Sequence, residues 1–215
     1  MGAVPAASLH QQTTAGFAPT TDRRRAVLLG SELRGLARMS DVLEPGLVIL
    51  LANEFFGWAG DIVAAFGGEA ITSQHELLLT MFTRGIPVHN AQQAVRAAQR
   101  IQSGFPELAE RWRRTYGLRT AVAQGLHMGE AVVGLAGPRG LERRVAFGDS
   151  VSLAQSIANR ARAGEFVMSD AVMGALSVEN LDLDAEPLPP LDLPRRTPIR
   201  IYGVLVEARL DFTAK

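Results

Sequence analysis

The chain has 215 residues, room for one domain of ordinary size. Lys plus Arg and Asp plus Glu both number 22, so the formal net charge is zero and there is no global electrostatic reason to bind DNA, RNA or an anionic membrane. Cysteine is absent, which excludes disulfides, thiolate metal sites and cysteine nucleophiles. A hydrophobic content of 47% is enough for a real core.

Residues 1–25 read as a disordered leader of Ala, Gln, Thr, Ser, Gly and Pro, closed by Arg23-Arg24-Arg25. It has no apolar h-region, so no signal peptide is expected. The apolar run Ala26 to Leu33 predicts a central strand, followed by a loop through Ser40. From Pro45 to Phe66, Leu47, Leu51, Phe55, Trp58, Ile62 and Phe66 recur at helical spacing, and Gly67-Gly68 ends the helix. Asn53, Glu54 and Asp61 would be costly in lipid, so this is expected to be a soluble amphipathic helix and not a membrane span.

Glu69 to Ser73 and Glu76 to Phe82 predict a hairpin. A helix follows from His89 to about Arg111, with Ala91, Ala94, Val95, Ala98, Ile101, Phe105 and Leu108 on one face. Arg119 to His127 and Glu130 to Ala136 predict two strands around Met128-Gly129. Gly137 to Gly140 is a turn, and Arg143 to Phe147 resumes a strand. Then come a helix from Val151 to about Ala163, a strand from Glu165 to Met168 and a short helix from Ala171 to Leu176. Glu186 to Pro198 is proline-rich and reads as irregular, and Ile199 to Val206 is a last strand. This order predicts an α+β fold: a ferredoxin-like βαββαβ core with extra strands, its helices on one face of a mainly antiparallel sheet. The expected domain is 26–206, with a tail at 207–215.

Several segments resemble, in order, those of class III adenylate/guanylate cyclase catalytic domains. They are Glu32-Leu33-Arg34-Gly35-Leu36-Ala37, Gly67-Gly68 through Glu76, Gly125-Leu126-His127-Met128-Gly129-Glu130, and Gly148-Asp149-Ser150-Val151-Ser152-Leu153-Ala154-Gln155-Ser156. The resemblance spans roughly residues 26–206. It implies two metal-binding aspartates, here replaced by Glu32 and Glu76. Carboxylates suit Mg²⁺ or Mn²⁺, but glutamate is one methylene longer and Mg²⁺ demands near-ideal geometry. The base-reading pair is replaced by Thr72 and Val145, and Val145 can make no hydrogen bond. The transition-state asparagine and arginine are replaced by Ser152 and Ser156, four apart on one helix face. Arg160 lies one turn further, a distance of about 5.4 Å, and reads as a surface arginine.

Lys215 is the only lysine, so no lysine within the domain serves base or triphosphate. Arg195 and Arg196, just before the last strand, lie near the triphosphate-binding basic position that the resemblance implies, although a solvated loop pair is the simpler reading. His127 with Glu130 reads as structural. The Gly134 to Gly140 stretch lacks the Lys-Ser/Thr ending of a phosphate loop.

The resemblance therefore implies a cytoplasmic bacterial signalling domain with a cyclase skeleton and degraded catalysis. Such a domain would be regulatory, dimerising or nucleotide-sensing, paired with a second copy or another cyclase-type domain. Two rivals remain: a divergent active cyclase using Glu32 and Glu76 for metal with ATP or GTP, and a ligand-free scaffold.

Overall fold

The computed structural model of the chain describes residues 22–74, 76–177, 183–194 and 196–205. The expected leader up to residue 21, the tail at 207–215 and Arg195 lie outside them. Eight strands form one sheet. They are β1 (Asp22–Arg34), β2 (Glu69–Gln74), β3 (Leu77–Phe82), β4 (Ala121–Ala136), β5 (Arg143–Phe147), β6 (Glu165–Ser169), β7 (Glu186–Leu191) and β8 (Ile199–Leu205). Among the described residues five helices accompany them: α1 (Leu36–Val42), α2 (Pro45–Ala65), α3 (Pro87–Tyr116), α4 (Asp149–Arg160) and α5 (Asp170–Ser177).

The sheet order is β2-β3-β1-β4-β6-β8-β7, with β5 paired to β4 off this path. The β4–β6 pairing is parallel and the others are antiparallel. The α+β architecture is as predicted.

β1 is central because it is apolar on both faces. Val27, Leu29 and Leu33 join the larger core with α2, α3 and α5, while Ala26 and Leu28 join a second core that includes Val151 and Ala154 of α4. The helices therefore do not all lie on one face: among the described residues α4 alone covers the other. α2 starts with Pro45 at its first turn and ends in a Schellman motif. In that motif Gly67 takes φ 76°, and the Gly67 and Gly68 amides donate to the Ala64 and Val63 carbonyls, both at 2.9 Å. Among the described residues α2 is the one helix long and apolar enough, by length and composition, to cross a membrane. Leu51, Phe55, Ala59 and Val63 bury one side of it in the core.

Four local expectations are corrected. Ser40 lies within α1, where a loop was expected, because Leu36 and Met39 dock a short helix on the core. β1 begins at Asp22, where Arg23 to Arg25 pair with Val132 to Glu130 of the long β4. Met128-Gly129 is not a turn, since β4 runs unbroken for 16 residues with β1 as its template. The proline-rich stretch contains strand β7, which is possible because β7 is an edge and its pairing skips from Leu188 to Leu191 across two prolines.

Candidate functional site

The ends of β1 and β3 and the C-terminus of α4 converge on Glu32. This residue is only 8% exposed. Its Oε1 is 2.7 Å from Arg34 Nη1, and its Oε2 is buried with no hydrogen-bond partner among the described residues. The Leu33 amide donates to the Glu76 carbonyl at 2.8 Å, which brings the turn before β3 beside Glu32. Glu76 itself is half-exposed. Burial pushes the Glu32 carboxyl above its usual range; Arg34 opposes this and the Glu76 charge adds to it. Sequence reading thus paired two acids that the fold does bring together. It missed the guanidinium between the site and α4: Arg34 Nη2 lies 3.2 Å from each of the Ala158, Asn159 and Ala161 carbonyls. The only available signal was a basic residue two positions after the acid, at the same end of β1.

A two-ion centre does not fit these residues. One oxygen of Glu32 is already matched by a fixed cation. Among the described residues no group of three or more His, Asp or Glu side chains could hold a metal. Hard divalent ions need several oxygen ligands.

Ser152 and Ser156 sit on α4, Ser152 exposed and Ser156 half-buried. The Ser156 hydroxyl donates to the Ser152 carbonyl at 2.8 Å, so it is engaged within its own helix. Arg160 lies in the last turn of α4, half-buried. Arg196 forms a two-pronged ion pair with Asp149, in the first turn of α4. An anion at Arg196 has to displace that carboxylate.

Thr72 lies in β2 opposite Leu79 of β3, and Val145 in β5 opposite Gly134 of β4. An ion pair of 2.8 Å between Arg144 and Glu69 ties β5 to the start of β2. Between these strands and α2 opens a cleft of about 800 Å³, lined by Phe56, Ile71, Leu78, Leu141 and Val145 together with the polar Asn53, Arg143 and Arg144. Its size suits a small ligand, but Val145 offers no hydrogen bond to a base edge.

His127 sits within β4 with Nδ1 3.0 Å from Ser169 Oγ. Burial holds its imidazole below the usual range, against the pull of Asp149 and Asp170.

α4 can approach the sheet this closely because β4 presents glycine. A Cβ on Gly125 would stand 2.7 Å from the Ala154 carbonyl oxygen and the Ala158 Cα, and closer still to the Ala158 amide. Thus the helix bearing Ser152 and Ser156 is seated on Gly125 and fastened at its C-terminus by Arg34.

No sequence-family model matches the chain, and no curated protein matches it. Solved structures do. The adenylyl cyclase CyaB from P. aeruginosa superposes with a TM-score of 0.78 at 20% identity, covering 88% of this chain and 97% of that one. The guanylyl cyclase Cya2 gives 0.73 at 24% identity, covering 88% and 96%. A dimeric guanylyl cyclase domain of the RhoGC fusion protein from the aquatic fungus Blastocladiella emersonii gives 0.71 at 16%, covering 86% and 98%. The chain has the fold of these cyclase catalytic domains across nearly their whole length.

Proposed function

We propose that this chain is a class III cyclase homology domain that has lost turnover and serves bacterial signal transduction as a regulatory, dimerising or nucleotide-sensing module in the cytoplasm. The observation that carries the reading is α4. Where a cyclase needs an asparagine and an arginine, it presents Ser152 and Ser156, and the Ser156 hydroxyl is engaged with the Ser152 carbonyl. Losing one preorganised donor of transition-state charge costs ~10²–10³ in rate, and here two positions are changed together. Support for pairing comes from the dimeric neighbour, and the partner would be a second copy or another cyclase-type domain.

One observation favours a divergent active cyclase: Glu32 Oε2 is buried without a partner beside a second acid, Glu76. That reading requires Arg34 to release Glu32 to Mg²⁺ or Mn²⁺.

The deciding assay is cyclic nucleotide formation from ATP and from GTP, each in Mg²⁺ and in Mn²⁺, with Glu32→Ala and Glu76→Ala run in parallel. The proposal expects no product above background. Product that both substitutions abolish makes the chain an active cyclase. Without turnover, nucleotide binding by calorimetry separates a sensing module from a ligand-free scaffold.

A further inference from the structure

One oxygen of the Glu32 carboxylate is already paired with a cation that belongs to the protein. We propose that Arg34 is the resident cation of this site, standing in for a divalent ion and fastening the end of β1 to the C-terminus of α4 without metal. The inference rests on the proposed cyclase-like origin of the site, because that is what makes Glu32 a metal position.

The geometry uses both arms of one guanidinium. Nη1 meets Glu32 Oε1 at 2.7 Å, and Nη2 lies 3.2 Å from three carbonyls at the end of α4. The last carbonyls of a helix lack intrahelical donors and carry the negative end of its dipole. A planar fork of five N–H donors can satisfy a carboxylate and a helix end together.

The side chains are well placed to persist. Arg34 is 32% exposed and Glu32 11%, so solvent screens the pair poorly. A divalent ion reaching for Glu32 Oε2 would meet a fixed positive charge on the other oxygen of the same carboxylate. Glu76 is half-exposed and forms no ion pair among the described residues, and its charge is felt at Glu32.

A functional consequence follows for α4. Here α4 is held by Arg34 at its C-terminus and seated on Gly125, so its position is independent of any ion.

The test uses the full-length protein and Mn²⁺ alone, read by the spin resonance of free Mn²⁺ and by thermal melting. Wild type is expected to leave the free Mn²⁺ signal unchanged and to melt at the same temperature with or without the ion. Arg34→Gln is expected to melt lower and to gain a response to Mn²⁺. The gain should be roughly 3–5 °C when the ion is at about ten times its Kd. Adding Glu32→Gln should abolish that gain. Arg34→Lys keeps the charge but not the fork, so it should melt lower than wild type and stay silent to Mn²⁺.

Wild-type Mn²⁺ binding that Glu32→Gln removes would overturn the inference, and this measurement stands whether or not Arg34→Gln folds. A folded Arg34→Gln that ignores Mn²⁺ would also overturn it, as would an Arg34→Lys that melts like wild type. Turnover is a separate readout: cyclic nucleotide formation would count against the proposed loss of activity whichever way Mn²⁺ behaves.

Discussion

Gly125→Ala tests the seating of α4 most directly. The added methyl would stand 2.7 Å from the Ala154 carbonyl oxygen and the Ala158 Cα, whereas ordinary contact begins at 3.4 Å. Both obstacles are backbone, so no side chain can rotate away. β4 is equally fixed, paired with β1 along its first 13 residues and with β6 at Gly125 itself. Relief therefore requires α4 to lift as a body. Lifting it separates Val151 and Ala154 from one core cluster and Ile157 from another. Overpacking a rigid site costs ~1–3 kcal/mol, and backbone obstacles put this case near ~3 kcal/mol. For a chain of this size that lowers Tm by roughly 6–12 °C. The assay is thermal and urea denaturation beside Gly60→Ala and Gly174→Ala. These two glycines sit in helices with nothing within 4 Å of the new methyl. They should each gain ~0.5–1 kcal/mol, because alanine is the better helix former. A Gly125→Ala protein as stable as wild type would refute the close seating of α4 on β4.

Other outcomes can be checked on the same preparations. Glu54→Ala removes the acceptor, at 2.8 Å, of the indole N–H of Trp112, whose side chain is almost fully buried. The expected loss is about 1 kcal/mol with a shift in tryptophan emission, read by urea melts and fluorescence. His127, held below its usual 6.5 by burial, takes up a proton in the unfolded chain before it does so in the native one. Stability should therefore fall as pH drops below about 6.5, and His127→Gln should flatten that part of the Tm–pH curve. Glu32 has the opposite sign. Its carboxyl is raised above 4.5, so native protein gains stability as pH falls through its folded pKa toward 4.5, and Glu32→Gln should remove that gain. Restoring Ser152→Asn and Ser156→Arg together, with Glu32 and Val145 left as they are, is expected to yield no cyclic nucleotide from ATP or GTP. Only one of the three altered residue sets is then repaired.

The sequence by itself determined the elements whose patterning is strong. The apolar run from Ala26 to Leu33 predicted a central strand, and β1 is one, buried on both faces. The helical spacing between Pro45 and Phe66 and the glycine pair after it fixed α2 to within a residue. The motif order also pointed to the fold that the superpositions share. The resemblance named Glu32 and Glu76 as a pair, and the antiparallel pairing of β1 with β3 places the Glu76 backbone beside Leu33.

Tertiary structure decided what local pattern cannot carry. β4 runs through Met128-Gly129 because β1 supplies a continuous partner, so glycine there marks close packing instead of a turn. β7 is a strand despite its prolines because it lies at the sheet edge, where missing amide donors cost little. The partner of Glu32 was decided only by folding. Arg34 is two residues away in sequence, but the carbonyls that fix its other arm lie about 125 residues further along the chain. A charge finds its counter-charge through space, and only the seating of α4 on the sheet brings that helix end within reach of the guanidinium.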